Sequence, residues 1–96
     1  MRADPGYVAT IDVAQLQRVL AQYPADGSAR QRLLRRAVCT VALAVAADGS
    51  GWASGRDVRR RMPVGPSLAH TLLDELVTAG AVECDARGRY RVGGSS

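Results

Sequence analysis

Apolar residues in the first half of the chain recur at three- and four-residue spacing, which is the period of an amphipathic helix. In the segment 10–23 the pattern follows Thr10, whose hydroxyl can cap a helix, and it stops at a proline. The segment 29–47 shows the same period after Ser28, a second capping residue. The pattern therefore predicts two consecutive helices, preceded by a flexible leader over residues 1–9.

Two further helices are predicted after a glycine-rich turn and a very short extended segment at 52–53. The helix 54–62 starts at Ser54, which with Asp57 three residues later resembles a capping box, and it stops before a proline. The helix 66–79 begins with a proline, which suits a first turn, and a glycine follows it as C-cap.

The last predicted element is a β-hairpin over 81–92, whose second strand alternates charged and apolar residues. Its strands flank the turn Asp85-Ala86-Arg87-Gly88, and a flexible tail follows over 93–96. The order is helix, helix, short strand, helix, turn, helix, hairpin. This order predicts a single domain over 10–92, mainly α with a small β-hairpin, which is an α+β fold.

Composition agrees with one small soluble domain. The chain has 96 residues and only 4% aromatics, so Leu, Val and Ala must form its core. The longest apolar run, 37–47, is too short to span a bilayer, and no secretory signal opens the chain. A cytoplasmic location without membrane contact is therefore expected. Cys39 and Cys84 lie far apart in apolar contexts, so we expect buried free thiols rather than metal ligands.

Positive charge is concentrated in one third of the sequence. The net charge is +4, and all 13 basic residues are arginine. The segment 30–61 holds eight arginines against Asp48 and Asp57, while the rest of the chain sums to −2. Such a concentration is expected of a surface that binds a polyanion.

The segment from Ser54 to Val92 resembles a winged helix-turn-helix, and its sequence reads SGRDVRRRMPVGPSLAHTLLDELVTAGAVECDARGRYRV. It is most similar to the DNA-binding heads of IclR-type and MarR-type bacterial regulators. The junction 76–82 and the strand start 88–91 carry the resemblance, which covers about two thirds of the chain when 29–47 is its first helix. It implies that 66–79 is a recognition helix, that the hairpin is a wing, and that the N-terminal helix is extra.

A recognition helix places its first turns in the major groove. The positions expected to be exposed there are Pro66, Ser67, Ala69, His70 and Thr71. Leu68 and Leu72 are expected in the core. The helix carries Asp74 and Glu75 but no Arg, Lys, Asn or Gln, and relatives often have Arg in place of Thr71, so base readout should be weak.

Arginines must then supply most of the affinity. The expected DNA contacts outside the recognition helix are Arg56, Arg59, Arg60, Arg87, Arg89 and Arg91. Arg59 stands where relatives bury a small residue, so its side chain has to extend outward. A third cluster, Arg30, Arg32, Arg35 and Arg36, lies where the helix dipole disfavours cations. That cluster binds DNA, binds an acidic protein surface, or is a solvated face.

The leading hypothesis is a small winged-helix protein that binds double-stranded DNA, as a transcriptional regulator or an accessory factor in another DNA transaction. The helix 10–23 either forms a homodimer interface or folds back on its own domain. The alternative is a docking module whose arginines bind an acidic protein partner, and RNA binding is a third option. No catalytic constellation is found, so no enzymatic activity, cofactor or metal is expected.

Overall fold

The computed structural model describes residues 12–93 of the chain, so the predicted leader 1–9, the predicted cap Thr10 and residues 94–96 lie outside the described part. The elements are α1 (Val13–Leu20), α2 (Ala29–Asp48), β1 (Ala53–Ser54), α3 (Gly55–Arg61), α4 (Pro66–Ala79), β2 (Val82–Cys84) and β3 (Arg89–Val92). The predicted class is confirmed: the protein is mainly helical with a small antiparallel sheet.

Helix α1 is shorter than the predicted segment 10–23. Its N-cap is Asp12, whose Oδ1 accepts a hydrogen bond from the backbone N–H of Gln15 at 3.0 Å. After Leu20 the chain tightens into turns, in which the N–H of Tyr23 donates to the carbonyl of Leu20 at 2.9 Å. Tyr23 is therefore buried in a turn and not on the helix.

Local capping signals set the ends of the other helices. The hydroxyls of Ser28 and Ser54 each accept a hydrogen bond from the backbone N–H three residues later, at the starts of α2 and α3. Gly80 ends α4 in the left-handed conformation, with φ of 82°, and its N–H donates to carbonyls of the last turn. Only glycine adopts this backbone conformation without strain, which is why the helix stops there.

The sheet has three strands in the order β1-β3-β2, all antiparallel. Strand β1 joins the two strands of the predicted hairpin to make a three-stranded sheet, because Ala53 pairs with Tyr90. Cys84 of β2 pairs with the same tyrosine from the other side, so β3 is central. The sheet therefore joins the segment before α3 to the hairpin that follows α4.

The core is built from Leu, Val and Ala, as the composition predicts. Its fully buried large side chains are Val38, Val41, Val58, Leu72, Leu73, Leu76 and Val82. Two positions of α4 were predicted wrongly: Ala69, expected to be exposed, is fully buried, and Leu68, expected in the core, is 39% exposed. Apolar residues at helical spacing can be traced along α4 from residue 68 or from residue 69. The stripe that packs into the core starts at residue 69 and continues through residues 72, 73 and 76.

Helix α1 folds back on its own domain, where it packs against α2 and β3. Val19 is buried, and the Gln15 side chain donates from Nε2 to the carbonyl of Gly93 at 2.8 Å. Gly93 was expected in the flexible tail, but it is buried, and its N–H donates to the carbonyl of Ala81 at 2.9 Å. The ordered domain thus extends one residue past the predicted hairpin.

Arg35 fixes the C-terminal end of α1 to α2. Its Nη1 donates to the carbonyls of Leu20 and Tyr23, both at 3.0 Å, in a partly buried setting. The carbonyl of Leu20 also accepts the N–H of Tyr23, and Tyr23 lies past the end of the helix, so the guanidinium adds a charged donor to both carbonyls at this helix end.

Both cysteines are free, but neither is fully buried, which differs from the expectation. Cys39 is half-buried on α2, and Cys84 is exposed at the end of β2, where the hairpin leaves the core.

Within residues 12–93, no helix has the length and apolar character needed to cross a membrane.

Replacing Arg35 with alanine should lower the free energy of unfolding by about 1–3 kcal/mol, because two carbonyls lose a charged donor. Urea denaturation followed by circular dichroism measures this change. The matched control is Arg36→Ala on the same helix, which should change stability by no more than about 0.5 kcal/mol. Equal effects of the two substitutions would refute the anchoring role of Arg35.

Candidate nucleic-acid interface

The first turns of α4 present a polar stripe to solvent. Ser67, His70, Thr71 and Asp74 are all exposed. The hydroxyl of Thr71 donates back to the carbonyl of Ser67 at 3.0 Å, and His70 Nε2 lies 3.4 Å from a carboxylate oxygen of Asp74. The stripe is therefore accessible, but two of its polar groups already have partners on the same helix.

Leu68 stands beside this stripe and was not foreseen there. Its side chain is 39% exposed on the first turn of α4. An exposed leucine at this position adds an apolar group to a surface whose other members are small and polar. In a major groove the matching feature is the methyl group of thymine.

Helix α3 carries four arginines, and two of them are compensated. Arg60 Nη2 and Arg61 Nε contact the two carboxylate oxygens of Asp57 at 2.8 and 3.0 Å. The predicted capping box is therefore half formed, because this carboxylate binds arginines while Ser54 caps the helix. The expected phosphate contact Arg60 has an acidic partner in the same turn.

A backbone contact joins the start of α3 to the hairpin turn. The N–H of Gly55 donates to the carbonyl of Gly88 at 3.1 Å. A Cβ atom at residue 55 would lie 3.0 Å from that carbonyl oxygen, 2.9 Å from Nη1 of Arg59 and 3.1 Å from the ring of Tyr90. A Cβ atom there would displace the end of the Arg59 side chain and push the carbonyl of Gly88 and the tyrosine ring by a few tenths of an ångström, so glycine favours the close approach.

This contact assembles three arginines that we call the front cluster: Arg56, Arg59 and Arg87. Arg56 follows Gly55 in the chain, Arg87 precedes Gly88, and Arg59 extends over the junction. Arg59 is half-buried, and its Nη1 lies at the junction, so part of its side chain is covered while the residue stays partly exposed. Within residues 12–93, none of the three forms an ion pair with a carboxylate.

Tyr90 connects the front cluster to α4. Burial raises the pKa of its hydroxyl, as do Cys84 and Asp74, whereas the positive charge of Arg59 lowers it in part. The tyrosine therefore lies within electrostatic reach of both Arg59 and Asp74. Helix α3, which carries Arg56 and Arg59, also packs directly against α4.

The wing arginines Arg89 and Arg91 lie on the other face of the sheet from Tyr90, because side chains alternate along a strand. Arg89 contacts Asp85 at 2.6 Å and Arg91 contacts Glu83 at 3.0 Å. Their guanidinium groups also lie 5.6 and 4.3 Å from the ring centre of Trp52. They were expected as phosphate contacts, but their charges are compensated within the wing.

Asp85 shapes the wing turn. Its Oδ1 accepts hydrogen bonds from the backbone N–H groups of Arg87 at 2.9 Å and Arg89 at 2.8 Å. Partial desolvation raises the pKa of this carboxyl. The hydrogen bonds from Arg89 and Arg87 together lower it by more than that, so the pKa lies below its ordinary value. The charged carboxylate thus holds the tip on which Arg87 stands.

The predicted third cluster divides into two. Arg30 forms an ion pair with Glu75 of α4. Arg32 instead donates to the carbonyl of Gly27 at 2.7 Å, Arg35 holds the end of α1, and Arg36 is exposed. Arg30 therefore neutralises part of the acidic charge of α4, while the other three do not reach that helix's carboxylates.

Some of this arrangement was visible in the sequence and some was not. Asp57 precedes Arg60 and Arg61 by three and four residues, a spacing that brings charges together on a helix. The contacts of Trp52 could not be predicted from neighbouring residues, because the pairing of distant strands sets them.

Among residues 12–93, no group of three His, Cys, Asp or Glu side chains is placed to hold a metal ion.

Comparison with known proteins finds no family model, no curated protein and no solved structure that matches this chain. The resemblance to bacterial regulators therefore stays a prediction from the sequence.

The ion pairs of Asp57 predict an acid-sensitive contribution to stability. Hydrogen bonds from Arg61 and then Arg60 hold the pKa of this carboxyl below its ordinary value. The folded state therefore binds the proton less tightly than the unfolded chain, and the stabilisation, complete above the ordinary pKa, is lost as pH falls through the folded pKa.

Urea denaturation from about pH 5 to about pH 2 should show a smaller loss of stability for Asp57→Asn than for the native protein. The matched control is Asp26→Asn, which removes one carboxylate at an exposed loop position. A pH dependence that is identical in Asp57→Asn and the native protein contradicts the assignment.

Proposed function

We propose that this protein is a small winged-helix DNA-binding protein in which the front cluster holds the phosphates while the first turns of α4 face the major groove. The observation that carries the proposal is the contact of Gly55 with Gly88, at which two segments carrying three uncompensated arginines meet, on a helix that packs against α4 and its exposed polar stripe. The order of elements from α2 to β3 fits this architecture.

Phosphate contacts dominate the affinity in this proposal. Each guanidinium of the front cluster can donate two parallel hydrogen bonds to a phosphate, and no carboxylate within residues 12–93 competes for it. Each neutralised phosphate adds about −0.9 to the slope of log affinity against log salt concentration. Binding is therefore strongly salt-dependent.

Base readout is modest in this proposal. Ser67 and His70 offer single polar contacts, and Leu68 offers an apolar contact for a thymine methyl group. The carboxylate of Asp74, exposed on the same stripe, repels the phosphates and holds His70. We expect a weak sequence preference, as in an accessory DNA-transaction factor or in a cytoplasmic regulator that gains specificity from pairing.

Helix α1 folds back on its own domain, and the proposal adds pairing of two copies through the part of α1 that stays exposed. Most of the apolar stripe of α1 is covered by α2 and β3, but Val13 remains 57% exposed. A homodimer through this helix uses Val13 as its apolar contact.

The competing hypothesis is a protein-docking module. The acidic charge on α4 favours it, because that charge repels the phosphates of DNA.

The double substitution Arg56→Ala with Arg87→Ala should weaken binding to all duplex sequences alike and make the salt slope shallower by roughly 1.8, because two phosphate contacts are lost. Fluorescence anisotropy with labelled random and genomic duplexes, across a salt series, measures both quantities.

The matched control for charge is Arg18→Ala with Arg36→Ala, which removes two exposed arginines of α1 and α2. This pair should leave the slope unchanged. An equal loss in both double variants would mean that net charge alone attracts DNA, and absence of duplex binding by the native protein at about 50 mM salt would refute the proposal.

Asp74→Asn should strengthen duplex binding by about fivefold, because one surface repulsion is worth roughly 1 kcal/mol. The same anisotropy measurement checks this, with Asp26→Asn as the control for the loss of one acidic charge. Unchanged or weaker duplex binding in the Asp74 variant would place the exposed stripe of α4 outside the DNA contact.

A further inference from the structure

Arg32, Arg35 and Arg36 form a second uncompensated cationic group, which we call the back cluster. Within residues 12–93 none of them contacts a carboxylate. Arg30 contacts Glu75 and so marks the side of α2 that faces α4. At about 100° per residue, Arg32 and Arg36 project from the opposite side of the helix. The back cluster is therefore turned away from the proposed DNA-binding helix.

Backbone carbonyls hold two of these guanidinium groups in place. Arg32 donates to the carbonyl of Gly27 at 2.7 Å, and Arg35 donates to the carbonyls at the end of α1 at 3.0 Å. A carbonyl orients a guanidinium without cancelling its positive charge. Two of the three guanidinium groups are therefore held in place and still cationic, and these two side chains lose little further freedom when an anionic group docks on them.

Two shallow cavities accompany the back cluster, and small apolar side chains line each of them together with the arginines. One, of about 320 Å³, is lined by the three arginines together with Ala25 and Cys39. The other, of about 350 Å³, is lined by Arg32 and Arg36 together with Ala29 and Leu33. Leu43, one of the most exposed large apolar side chains, follows two turns later at 59% exposure. Cations and apolar surface thus alternate along this side of α2.

We propose that this outer face of α2 binds an acidic amphipathic segment of another protein. Carboxylates of such a segment pair with the back cluster, and its apolar side chains enter the cavities beside Ala25 and Leu33. A DNA phosphate backbone matches the charge of this face but has no apolar group for the cavities. The proposal is independent of DNA binding, because the front cluster and α4 are not used.

The probe is a fluorescein-labelled peptide of aspartate and glutamate with leucine at every fourth position. Native protein should bind it, and a peptide with serine in place of leucine should bind about tenfold more weakly. The double variant Arg32→Ala with Arg36→Ala should weaken binding of the leucine peptide about tenfold or more, while the matching lysine variant retains most of it. Arg35 is left intact because it anchors α1.

The pair Arg56→Ala with Arg87→Ala is the crossed control: it should bind the leucine peptide like the native protein. Binding of duplex DNA should instead be weakened by the Arg56 and Arg87 substitutions and not by those of the back cluster. The peptide result can therefore be interpreted even if the protein does not bind DNA. Equal binding of the serine and leucine peptides, an equal loss in both double alanine variants, or no peptide binding by native protein would overturn the inference.

Discussion

The hydrogen bond from the N–H of Gly55 to the carbonyl of Gly88 is the contact on which the proposed interface depends. It holds the first turn of α3 against the hairpin turn, at a separation where a Cβ atom at residue 55 would crowd the carbonyl of Gly88. Two segments separated by more than thirty residues in sequence meet here. The contact continues the pairing of Ser54 with Arg89, and together they place the backbone at Arg56 close to that at Arg87.

Arginine has three different roles in this protein, although the sequence shows one residue type. Some guanidinium groups pair with carboxylates, as Arg61 does with Asp57, and contribute little net charge to the surface. Arg35 satisfies carbonyls at a helix end and so supports the fold. The front and back clusters retain their charge. Whether an arginine is available for a partner therefore depends on its acidic neighbours more than on the total charge of +4.

Features that depend on neighbouring residues were predictable from the sequence. The starts of α2 and α3 at serine caps, and the end of α4 at Gly80, follow from short signals. Features set by distant contacts were not. The register of α4 depends on packing, so Leu68 and Ala69 exchanged their predicted positions, and the ion pair of Arg30 with Glu75 joins residues from different helices. The residue types of the site were therefore predictable from the sequence, but which arginines are paired with carboxylates was not.

Trp52 makes the wing observable by fluorescence. It is the one tryptophan of the chain, and it stacks against the guanidinium groups of Arg89 and Arg91 on the outer face of the sheet. Indole emission from this protein consequently arises at a known place and reports on the environment of β3. The molecule carries an intrinsic optical reporter of its own hairpin, with no attached dye.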